Sequence, residues 1–150
     1  MKKFIVFCLL CCFLFSISLL KSEFDFSKQN NLSVQVFLSN RNFLQLNDYS
    51  IVKNGQGAII TCSYDEYKTI KNSCKDISGV TFVFDGEQNL FESLKRNLNI
   101  TFVTCNDFEF IGYTNYCDYA INLNNKKINI QAHLYNNKIY VGFPLLLGSY

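Results

Sequence analysis

Apolar and polar positions change period several times along this chain, and each change marks an element. Val34, Val36 and Leu38 alternate as a strand would, while Phe43 to Leu46 fits helix or strand equally, so residues 23–50 stay open. Residues 58–62 read as a strand. Ser63 and Glu66 then stand three apart, ahead of Tyr67, Ile70, Cys74 and Ile77 at helical spacing. That pattern predicts a capping box opening an amphipathic helix. Lys68, Lys71 and Lys75 fall on its other side and read as a solvated face.

Residues 80–84 predict an inner strand, with Val80, Phe82 and Phe84 on one side and Thr81 and Val83 on the other. Asp85-Gly86 ends it. A second helix follows, with Leu90, Phe91, Leu94 and Leu98 on one face. Glu87 lies near its positive end, Lys95 and Arg96 lie near its negative end, and Glu92 is spaced to pair with Arg96. Two strand-helix-strand units thus share residues 80–84. The equal separations Cys62 to Cys74 and Cys105 to Cys117 leave a duplication open.

The last third predicts a β-meander punctuated by turn residues. Residues 100–105 and 108–113 flank Asn106-Asp107, residues 119–123 and 126–135 flank Asn124-Asn125, and Asn136-Asn137 leads into residues 138–143. Asn and Asp tolerate the left-handed backbone that tight hairpins need. In the last hairpin Ile128, Ile130, Ala132 and Leu134 face the core with Ile139, Val141 and Phe143. Lys127, Asn129, Gln131, His133, Tyr135, Lys138 and Tyr140 then line the opposite face. A two-residue turn sets His133 opposite Tyr140 and Gln131 opposite Gly142. Asn129, Gln131, His133, Tyr135 and Tyr140 become the candidate binding residues on a polar, partly aromatic sheet face.

These elements predict the α+β class: a mixed, mostly antiparallel sheet with two helices on one face and a C-terminal β-meander. A chain of 150 residues is enough for one domain, expected over residues 23–150. Residues 4–20 are an uncharged apolar run behind Lys2 and Lys3. This predicts that residues 1–22 are an export signal, or an anchor that keeps residues 4–20 in the membrane. Either places the domain outside the cytoplasm, secreted or held at the outer face of the cytoplasmic membrane. The 14 basic and 12 acidic residues are close to balance, so a nucleic-acid partner is not expected.

Cysteine chemistry comes first among the candidates, because Cys62, Cys74, Cys105 and Cys117 form an even set suited to two disulfides in an exported chain. If Cys62 and Cys105 end neighbouring strands at one edge, a bridge between them is natural, with Cys74 and Cys117 left to pair or stay free. Unpaired, buried thiols are the other reading. No close pair supports a zinc site, since the nearest two of these cysteines are twelve positions apart. His133 is the only histidine, and a thiol enzyme would need Cys105 or Cys117 beside it. Asp65 with Glu66, and Asp85 with Glu87, read as helix-start residues, and Asp107 with Glu109 as turn residues. No nucleotide cradle and no cofactor are expected. The segment from Phe143 to Leu147 is either a last strand tucked into the core or a docking segment.

Ile77-Ser78-Gly79-Val80-Thr81-Phe82, Asn129-Ile130-Gln131 and the tail Val141-Gly142-Phe143-Pro144-Leu145-Leu146-Leu147-Gly148-Ser149-Tyr150 resemble stretches of the YwmB-like proteins of low-GC Gram-positive bacteria. The resemblance covers roughly residues 57–150. It implies a small exported α+β protein whose fold is grouped with TATA-box-binding domains, and it carries no catalytic residues with it. Shared fold does not imply DNA binding.

The expectation is therefore a non-catalytic binding or structural protein of the cell envelope, whose partner is an envelope protein or a cell-wall component. The alternative is a small secreted enzyme using a cysteine thiol with His133.

Overall fold

Alternating apolar positions supply one buried face to nearly every strand, and two amphipathic helices cover that face. The structure, a computed structural model, describes residues 24–39, 49–54 and 57–146. The expected export or anchor segment, residues 43–46 and the end of the tail lie outside them. Among the described residues ten strands follow in chain order: β1 (Ser33–Leu38), β2 (Ser50–Asn54), β3 (Gly57–Cys62), β4 (Ile77–Asp85), β5 (Thr101–Cys105), β6 (Glu109–Tyr113), β7 (Ile121–Leu123), β8 (Lys126–Ile128), β9 (Ile130–Tyr135) and β10 (Lys138–Phe143). Helix α1 (Tyr64–Ser73) joins β3 to β4, and α2 (Gln88–Asn97) joins β4 to β5.

Eight strands form one sheet in the order β2-β3-β1-β4-β10-β9-β6-β5, and β7-β8 make a separate hairpin. Every neighbouring pair is antiparallel, so the mixed character expected from the strand-helix-strand units does not arise. β1 enters between β3 and β4, and β10, β9 and β6 enter between β4 and β5. The strands joined by each helix run parallel but never touch. The two units enclose different numbers of strands, and Cys74 ends a helix whereas Cys117 lies in a loop. The echo in cysteine spacing therefore has no structural counterpart.

The helix-side face collects Val34, Val36, Ile60, Phe82, Phe84, Ile130, Ala132, Ile139 and Val141, all buried. Ile70 of α1 and Phe91, Leu94 and Leu98 at α2 close over them. Phe24 and Phe26 join this core from the stretch that the sequence left unread, and Phe26 stacks on Phe82 at 4.4 Å between ring centroids. Phe143 packs edge-on against both Phe26 and Phe82. The core half of the tail thus takes the tucked-in form, with Phe143 and Pro144 buried.

Local signals hold at the turns. Asn124, Asn125, Asn136 and Asn137 all have φ between 49° and 63°, the left-handed pair that a two-residue hairpin demands. His133 pairs with Tyr140 and Gln131 with Gly142, as turn geometry requires. The Ser63–Glu66 capping box forms. Two details differ. Helix α1 stops at Ser73, because Cys74 turns extended and Ile77 is taken into β4 opposite Leu38. Glu92 pairs with Lys95 at 2.6 Å rather than with Arg96. The Lys95 ammonium stands over the Phe91 ring, 4.8 Å from its centroid, and also reaches the Asn106 carbonyl at 2.8 Å. Glu92 is thereby drawn to the residue that ties α2 to the β5–β6 turn.

Candidate functional site

The face of the sheet away from the helices carries the candidate residues in two cross-strand rows. One row runs Val83, Tyr140, His133, Glu109, and the next runs Thr81, Gly142, Gln131, Ile111. These positions alternate with the core residues, so the strands themselves aim them outward. Tyr135 is 53% exposed, and His133 and Tyr140 are half-buried. The His133 and Tyr135 rings lie 6.1 Å apart on this face. Gln131 donates to the Glu109 carboxylate at 3.3 Å and accepts the Leu146 backbone N–H at 3.3 Å.

That last contact shows what sequence reading missed. After Phe143 the chain reverses and lays residues 145–146 across the helix-free face over Gly142. A Cβ at position 142 would stand 2.5 Å from the Leu145 carbonyl carbon, so only glycine admits the crossing. The legible signal was Gly142 two positions before Pro144, on the face away from Val141 and Phe143. Glu109, read from sequence as a turn residue, belongs to the same patch.

Asn129 does not belong to this face. It sits in the break between β8 and β9, fully buried. Its carbonyl oxygen accepts the Thr114 N–H at 2.8 Å, and its amide donates to the Thr114 carbonyl at 2.7 Å and to the Cys117 carbonyl. Every polar atom of the carboxamide serves the loop of residues 114–120, because strand alternation is interrupted where β8 leaves the sheet.

The four cysteines among the described residues are free thiols in different settings. Cys62 and Cys105 end strands that are six positions apart in the sheet order, roughly 25–30 Å at ordinary strand spacing. The bridge expected between them is geometrically excluded, since α2 carries the chain across three intervening strands. Cys62 is buried with its thiol pointed at the Val34 carbonyl, and burial, with Glu66 adding to it, pushes its pKa up to about 11. Cys105 is exposed on β5. It pairs with Phe110 on the helix side, whereas His133 pairs with Glu109 on the other side. Cys117 is held by Asn129 in the loop. None of the four shares a cross-strand row with His133 on its face of the sheet.

Comparison with family models, with curated proteins and with solved structures finds no match. The site is therefore read from its own geometry.

One concavity borders this face, and two others lie on the helix side of the sheet. One of about 600 Å³ lies beside His133 and Tyr135, bounded by Glu87, Phe108 and the Asn136-Asn137 turn. A second, about 570 Å³, separates α2 from β5 between Arg96, Phe102 and Asp107. The third, about 290 Å³, lies under the end of α1. No group of three or more His, Cys, Asp or Glu side chains is placed to hold a metal among the described residues. Among those residues, no helix is long and apolar enough to cross a membrane.

Proposed function

We propose that this chain is a non-catalytic binding protein acting outside the cytoplasmic membrane, with the helix-free sheet face contacting a cell-wall polysaccharide. The observation that carries the reading is the grouping of Tyr140, His133, Glu109 and Gln131 in adjacent rows of a continuous sheet, with Tyr135 exposed beside them. Tyr rings offer flat apolar surfaces to sugar rings while keeping a polar tip in water. Glu109, Gln131 and His133 supply donors and acceptors for hydroxyl groups. Strands hold such a patch more rigidly than loops do, so little order has to be gained on binding. The apolar run behind Lys2 and Lys3, and the resemblance of the β4 and β10 segments to YwmB-like exported proteins, support the extracytoplasmic setting.

Co-sedimentation with purified Gram-positive cell walls tests the reading. The protein is expected to pellet with the walls, and the double substitution His133→Ala with Tyr140→Ala is expected to leave it in the supernatant at unchanged thermal midpoint. Equal pelleting of both forms, or no pelleting of the natural chain, overturns it.

A further inference from the structure

The cavity beneath α1 has walls drawn from four elements of the fold. Tyr67 and Lys71 come from α1, Val80 from β4, Cys117 and Tyr119 from the 114–120 loop, and Phe143 with Pro144 from the end of β10. Its volume of about 290 Å³ is near the lower limit of about 300 Å³ for small-molecule sites. Its walls are mostly rings and aliphatic groups, so an apolar body is favoured inside. Tyr67 is sunk into this wall far enough that burial, with neighbouring Tyr64 adding to it, pushes its phenol up to about 12.

The polar end of the cavity is one-sided. Among the described residues Lys71 is the only charged one in the lining. Lys68, one turn earlier on α1, is occupied by Asp65 at 3.1 Å, whereas Lys71 makes no ion pair among the described residues. The Ser78 hydroxyl, also in the wall, already donates to the Phe37 carbonyl. The ammonium of Lys71 is thus the charged donor left to meet a ligand, beside the Tyr67 and Tyr119 hydroxyls.

We propose that this cavity binds a small amphipathic monoanion. Its chain or ring lodges against Tyr67, Val80, Phe143 and Pro144, and its carboxylate meets Lys71 at the rim. A neutral ligand of the same shape gains the apolar contact but lacks the charge-assisted hydrogen bond. The site is distinct from the sheet face and stands whether or not that face binds polysaccharide.

Two thiols make the site directly readable, because Cys74 and Cys117 line it while Cys105 is exposed on a distant strand. The full chain is alkylated with iodoacetamide in the presence of octanoate or octanol, and the labelled peptides are mapped by mass. Octanoate is expected to slow labelling of Cys74 and Cys117, to leave Cys105 unchanged, and to act at lower concentration than octanol. Lys71→Gln is expected to raise the octanoate concentration for half-protection about tenfold, to the level of octanol. Because Lys71 is exposed, the variant keeps the fold, and an unchanged Cys105 labelling rate checks this. Three results would overturn the proposal: absence of protection at Cys74 and Cys117, equal protection at Cys105, or half-protection that Lys71→Gln does not shift.

Discussion

Thr81 and Asn129 are both fully buried polar side chains, and their surroundings give them opposite energetic signs. The Asn129 carboxamide is satisfied on both ends and holds the 114–120 loop to the sheet, helped by Thr114, whose hydroxyl donates to the Leu98 carbonyl. Asn129→Ala strips partners from buried backbone groups and is expected to cost about 2–3 kcal/mol. The Thr81 hydroxyl has no hydrogen-bond partner among the described residues, in the row that also holds Gly142 under the returning tail. Thr81→Val keeps the shape and removes an unsatisfied group, so it is expected to be neutral or stabilising by up to about 1 kcal/mol. Urea denaturation midpoints check both: the Asn129→Ala midpoint is expected to fall below the parent's, and the Thr81→Val midpoint to equal or exceed it.

At the scale of elements, the first turn of α1 couples stability to acid. The Ser63 hydroxyl, and then its backbone N–H, hold the Glu66 carboxyl below the usual glutamate range. A carboxyl whose folded pKa is depressed stabilises the fold above its unfolded value near 4.5. That contribution is lost as pH falls through the folded value. Glu92 and Asp25 shift the same way, Glu92 through its bond from Lys95 and Asp25 through its bond from Ser27. Ser63→Ala returns Glu66 toward its ordinary range, so the variant is expected to lose less stability than the parent between roughly pH 5 and pH 3. Parallel loss of the two midpoints over that window would contradict the assignment.

For the whole molecule, strand order decides which thiols can meet. Cys62 and Cys105 lie on strands with β1, β4, β10, β9 and β6 between them. Oxidation of the folded monomer is therefore expected to yield no Cys62–Cys105 peptide on mass mapping. Cys62, with its thiol near 11, forms little thiolate at neutral pH. It is expected to be the last of the four to alkylate. Recovery of that linkage would demand a different sheet order.

Local chemistry made much of this protein legible in its sequence. The Asn-Asn turns, the capping box, the alternation through residues 80–84 and the His133–Tyr140 register all rest on interactions spanning a few residues or one tight turn. Backbone sterics settle these without help from the rest of the chain. The reading failed where distant segments meet. The insertion of β1 and of the β10-β9-β6 block between the helix-linked strands, the burial of Phe24 and Phe26, and the withdrawal of Asn129 from the sheet face depend on which surfaces pack together. So do the crossing of the tail over Gly142 and the thiol-lined cavity under α1. No local pattern encodes these, because the free energy that selects them comes from apolar area shared by residues far apart in the chain.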